Sequence, residues 1–127
     1  MTHYSRLFKI VVDVPAADHD REVAFWQAAS GAELARFESH PEYHGAELRE
    51  DALWLLTQRL DEGTARVHID IHTDDLDAEV ARLERLGARR VQRVSGWWIM
   101  RDPAGLPFCV LPDPPGALND GNAHRWD

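Results

Sequence analysis

Apolar and polar residues alternate through residues 7–14, which predicts a strand with Ile10, Val12 and Val14 on one face and Lys9, Val11 and Asp13 on the other. Pro15 ends it, and Asp18 is the expected N-cap of a helix over 18–29 that buries Val23, Phe25, Trp26 and Ala29 and stops at Gly31. Residues 33–37 read as a short strand, 39–45 as a polar loop, and 46–49 with 53–59 as a hairpin. After a linker at 61–63 the pattern restarts. Residues 67–73 form a strand, and Asp74 or Asp75 caps a helix to Leu86 with Leu76, Val80, Leu83 and Leu86 at helical spacing. Gly87 closes it, and three strands follow at 89–94, 97–101 and 107–111.

The restart is an internal repeat. Val12-Asp13-Val14 matches Ile69-Asp70-Ile71 and Glu22-Val23-Ala24 matches Glu79-Val80-Ala81, both at an offset of 57 residues. Each half reads strand, helix, strand, strand, strand, which is best explained by duplication. The expected fold is α+β. Two βαβββ modules, about 7–60 and 66–111, form a curved, half-open barrel of mixed β-sheet with helices on the outer face. The concave side of such a sheet is a natural small-molecule pocket. Residues 1–111 are read as one domain, and 112–127 as a tail that packs on it or on a partner subunit, with Trp126 as anchor.

Composition narrows the function classes. The chain has 127 residues, 22 acidic against 14 Lys+Arg, for a formal charge of −8. That balance argues against nucleic-acid binding, which needs a basic face. No apolar stretch reaches the roughly 18–20 residues of a membrane span, and no basic-then-apolar leader is visible at the start. The single Cys allows no intrachain disulfide and suits a reducing compartment, so a cytoplasmic location is expected. The charge is uneven: residues 1–63 hold 12 acidic and 6 basic groups, the remainder 10 and 8, so the first module carries most of the excess.

The chain resembles the vicinal oxygen chelate superfamily of glyoxalase, bleomycin-resistance and extradiol-dioxygenase relatives, and especially its small glyoxalase-like domains. The likeness rests on Phe25-Trp26, Trp54-Leu55-Leu56-Thr57-Gln58-Arg59, His68-Ile69-Asp70-Ile71, the run from Asp74 to Val80, Leu86-Gly87-Ala88, and Asp102-Pro103-Ala104-Gly105 followed by Phe108-Cys109-Val110. It spans about residues 7–111. The scaffold hosts isomerases, lyases, dioxygenases and non-catalytic drug binders, so the resemblance implies a fold more narrowly than a reaction.

The resemblance also implies where metal ligands should stand. The first-strand position of the second module falls on His68, which matches. Its counterpart in the first module falls on Lys9, or on Val11 without a gap, and neither is a ligand there. The carboxylate expected near the end of the first module has no candidate in residues 53–60 except the amide of Gln58, and the final-strand carboxylate falls on Cys109. A catalytic metal takes about three protein ligands. No metal or other cofactor is therefore expected, with His68, Gln58 and Cys109 as the weak candidates for a divalent ion. Asp70 and His72 follow His68 at two-residue steps of about 6.6 Å, which brings Asp70 but not His72 within reach of an ion on His68.

The expected ligand pocket comprises Lys9, Val11, Trp54, Leu56, Gln58, His68, Asp70 and Cys109. His68, oriented by Asp70 or Asp13, is the best candidate general base. Trp54 and one of Trp97 and Trp98 are candidates for an aromatic wall. The reading is a homodimeric protein that binds a small organic molecule without the standard metal-dependent isomerase site. Its alternatives are a lyase, isomerase or dioxygenase with a variant metal site, and an antibiotic-sequestering resistance protein whose ligand would be a cationic, aromatic drug.

Overall fold

A computed structural model describes residues 2–127. Among the described residues the chain forms nine strands and two helices with both parallel and antiparallel pairing, an α+β fold. In chain order these are β1 (His3–Pro15), α1 (Ala16–Ser30), β2 (Ala35–Arg36), β3 (Tyr43–Arg49), β4 (Leu53–Leu60), β5 (Arg66–Thr73), α2 (Leu76–Arg85), β6 (Arg89–Val94), β7 (Trp97–Arg101), β8 (Pro107–Pro112) and β9 (His124–Trp126). The chain divides into two compact units. One is Lys9–His68; the other comprises the residues up to Phe8 with Ile69–Asp127. The boundaries cut β1 and β5, so each unit contains part of both strands.

In the Lys9–His68 unit the strand order is β2-β3-β4-β1. β1 and β4 run parallel with Lys9 beside Trp54, Val11 beside Leu56 and Asp13 beside Gln58. The alternate face carries Val12, Val14, Leu55 and Ala46, which with Leu34 form a core against Val23, Trp26 and Ala32. α1 begins directly after Pro15, which makes no side-chain cap; Asp18 instead lies in the first turn and pairs with Arg21. Pro15 is the N-cap residue with an extended backbone (φ −56°, ψ 148°), and the helix starts at Ala16, two residues before the expected start at Asp18. Phe25 is exposed rather than buried, and the one fully buried residue of α1 is His19. Gly31 ends the helix at φ 74°, a left-handed conformation that glycine adopts without strain. β3 starts at Tyr43, so part of the expected polar loop is strand.

In the other unit β5 pairs in parallel with β8, and β7 joins β8 to β6 antiparallel. Val80, Leu83, Met100 and Val110 form its core with Ile71, Leu76, Ala88, Trp98 and Phe108 packed around it. Asp75 caps α2 by accepting from the Ala78 amide. Leu86 lies past the helix end and is exposed. Glu79 is fully buried and accepts two hydrogen bonds from Arg82 at 2.7 and 2.8 Å and one from His3 Nε2 at 2.8 Å. Burial pushes its carboxyl up, but the hydrogen bonds from Arg82, His3 and Ser5 outweigh that and hold it below the usual carboxylate range. β9 pairs with His3–Ser5 of β1; Trp126 donates to Ser5 Oγ and lies under the Arg82 guanidinium at 3.7 Å.

Candidate functional site

The face of β1 and β4 turned away from α1 carries one cluster of chemistry-bearing residues of the Lys9–His68 unit. Strand alternation and parallel register put Lys9, Val11 and Asp13 beside Trp54, Leu56 and Gln58 there. Antiparallel register adds Tyr43 and Gly45 from β3, opposite Gln58 and Leu56. A Cβ on Gly45 would stand 3.0 Å from the Phe37 ring and 3.1 Å from Leu56 Cγ, so the absent side chain lets Phe37 settle onto this face. Phe37 in turn meets Trp54 edge-on at 6.3 Å and Tyr43 at 6.2 Å.

Polar pairs are set among these rings. Asp13, 1% exposed, accepts from His68 Nδ1 at 2.6 Å, with Arg66 Nε at 3.5 Å from the same oxygen. A carboxylate accepts only, so Nδ1 carries the proton and Nε2 is the basic nitrogen. Gln58 donates to the Tyr43 hydroxyl at 3.0 Å. Lys9 is half-buried and has no ion pair among the described residues. The face thus offers a cation, an oriented imidazole and an aromatic wall.

The remaining expected site residues lie in the other unit. Asp70 of β5 is buried and stands in register with Cys109 of β8, their donor atoms within 4.8 Å. Ile99 is the partner of Cys109 on the next strand, so Trp97, two positions earlier, shares that face. Trp98 lies on the opposite face, in the core beneath α2. His72 is buried, paired with Asp113 at 2.8 Å and edge-on to Phe8.

Sequence reasoning gave Asp13 only as one of two partners for His68, and it did not include Phe37 or Tyr43. The alternation that put Asp13 on the face of Lys9 was the available signal. Nothing local in sequence marks Phe37, because its position depends on the space above Gly45.

Comparison with known proteins follows this geometry. The sequence profile of the glyoxalase-like domain matches residues 9–111. The chain belongs to that family. Among solved structures, the glyoxalase-like chain is similar to methylmalonyl-CoA epimerase from Mycobacterium tuberculosis, at 18% identity and TM-score 0.56 over 87% of this chain and 89% of that one. It is similar to the Streptomyces coelicolor methylmalonyl-CoA epimerase in complex with 2-nitronate-propionyl-CoA, at 20% identity and TM-score 0.56 over 87% and 98%. A third is 2,2',3-trihydroxybiphenyl 1,2-dioxygenase from Sphingomonas wittichii, at 14% identity and TM-score 0.56, with 87% of this chain covering 41% of that one. At these identities the likeness shows the fold, which is that of the vicinal oxygen chelate superfamily. No curated protein matches the chain.

The metal ligands of that superfamily can be tested against this chain. On β1 and β4 the facing positions hold Lys9, Val11, Leu56 and Gln58, and the one carboxylate on those strands, Asp13, is bonded to His68. An ammonium repels a divalent cation, and an amide is a weak substitute for a carboxylate. Of the positions that the resemblance assigns to metal ligands, those on β1 and β4 hold an ammonium or an apolar side chain and an amide. No helix of the described residues is long and apolar enough to cross a membrane.

Proposed function

We propose that this glyoxalase-like protein binds a small organic molecule on the Lys9–Trp54–Gln58 face, without the standard metal-dependent isomerase site. The observation that carries the reading is Lys9: a half-buried ammonium with no ion pair stands beside the Phe37–Trp54–Tyr43 wall, where a metal ligand would be expected. A flat ligand stacks on the rings, its anionic or carbonyl oxygen meets Lys9, and the Asp13-oriented His68 holds or accepts a proton at Nε2. The structural neighbours are named for acyl-CoA and biphenyl substrates, which supports organic ligands of this size. The protein works as a cytoplasmic homodimer in this reading, with no nucleic-acid or membrane partner.

A thermal-shift screen of aromatic and acyl-thioester compounds tests it. Stabilisation by a hit that Lys9→Ala and Trp54→Ala both abolish is the expected result; a hit unaffected by either substitution contradicts it. One observation favours a second reading, a lyase, isomerase or dioxygenase with a variant metal site on His68, Gln58 and Cys109. Asp70 and Cys109 present donor atoms within 4.8 Å of each other, and His68 stands two positions before Asp70 on β5. Thiolate and imidazole suit zinc. Stoichiometric zinc in protein purified without chelator, lost in Cys109→Ser, is the result that would favour it. Stabilisation by cationic glycopeptide drugs would instead favour sequestration of an antibiotic.

A further inference from the structure

On the opposite face of the same unit, beneath the start of α1, a cleft of about 400 Å³ is lined by His19, Asp20, Arg36, Pro41, His44 and Arg59. Strand register assembles it. Arg36 of β2 pairs with His44 of β3, His44 pairs with Thr57 of β4, and Arg59 lies two positions beyond Thr57 on the same face. α1 lowers His19 onto the group. The ring is 2% exposed, its Nε2 is 2.9 Å from Thr57 Oγ1, and it meets the His44 ring at 5.0 Å.

Three features set this cleft apart from ordinary surface. Neither Arg36 nor Arg59 has an ion pair among the described residues, although their module has twice as many acidic as basic groups. His44 Nδ1 is buried and has no hydrogen-bond partner. Such an orphaned ring nitrogen asks for a ligand atom or a water. Asp20 is the only carboxylate in the lining.

We propose that this cleft binds a small oxyanion, the phosphate or carboxylate group of a metabolite, between Arg36 and Arg59 and against the His19 and His44 rings. Guanidinium groups bind such oxygens through paired, charge-assisted hydrogen bonds. The imidazoles add donors when protonated. Burial first, and then the neighbouring cations, hold both histidines below their ordinary value, with Asp20 opposing. The charged and titratable groups lining the cleft are His19 and Asp20 from α1, Arg36 from β2, His44 from β3 and Arg59 from β4. A bound anion offsets the arginine charges that lower the two rings. The site is separate from the aromatic face and stands or falls independently of the function proposed there.

The test is a titration of the full chain with inorganic phosphate in buffer matched in ionic strength with chloride, read from the His19 and His44 ring resonances by NMR. Both should move saturably. Arg36→Gln with Arg59→Gln, at exposed positions, should weaken binding about tenfold or more, and Asp20→Asn should strengthen it severalfold. Acetate run in parallel assigns the class: equal binding points to carboxylates, phosphate binding alone to phosphate esters. Ring resonances that respond no more to phosphate and acetate than to chloride would overturn the proposal. So would a double variant that binds as tightly as the parent.

Discussion

The two helices occupy the same place in the repeat and are built on opposite principles. α2 is capped by Asp75 and buries Glu79, Val80 and Leu83. α1 is five residues longer, has no side-chain cap, leaves Phe25 exposed, and has His19 as its single fully buried residue. One repeat uses its helix as a clamp, with Glu79 joined to Arg82 and His3 at 2.7–2.8 Å. The other uses its helix to close an apolar core at one end and a polar cleft at the other. The buried contacts of the two helices thus differ in kind: an ion-paired carboxylate with aliphatic side chains under α2, a histidine bonded to a threonine under α1.

The comparison breaks most sharply at Glu79. Glu79→Ala leaves His3 and Arg82 without their shared carboxylate, and should cost about 3–5 kcal/mol in urea unfolding. Its acid limb is also specific. The folded carboxyl sits below its ordinary value, so its stabilisation is complete above the unfolded carboxyl's range and is lost as pH falls through the folded one. Glu79→Gln should flatten that limb of a stability–pH curve. Val80→Ala should cost about 2 kcal/mol, because two buried methyls leave and a cavity remains.

The first copy should respond more gently. Thr57→Val removes the partner of buried His19 and should cost about 1–2 kcal/mol by thermal or urea denaturation. The folded pKa values of His19 and His44 are lowered, so the unfolded chain binds more protons below the ordinary histidine value. Stability therefore declines as pH falls from about 6.5 toward the folded values, a window above that of Glu79. Asp75→Ala should cost about 1 kcal/mol through loss of the α2 cap. Phe25→Ala, on the exposed side of α1, should change stability by less than about 0.5 kcal/mol. A larger loss there would show that α1 packs as tightly as α2.

The element order was legible in sequence because period-2 and helical patterns are local. The helix start was misplaced at Asp18 because α1 starts without a side-chain cap, and exposed Phe25 shows that an apolar residue at helical spacing need not face a core. β9 was missed because its pairing partner, His3–Ser5, lies at the other end of the chain. The face bearing Lys9, Trp54 and Gln58 followed from alternation together with the ligand positions that the family resemblance implies. The choice of Asp13 over Asp70 as the partner of His68 required coordinates, as did the placing of Phe37 over Gly45. The cleft was invisible: His19, Arg36, His44 and Arg59 come from four elements and share no spacing.

The claim that this glyoxalase-like chain holds an organic ligand without a metal is tested most directly by amide chemical shifts of chelator-treated protein during titration with a screening hit. The account predicts saturable shifts concentrated at residues 9–13, 43–45, 54–58 and 68 while chelator is present. Shifts at those positions that appear only after a divalent metal is restored would contradict it.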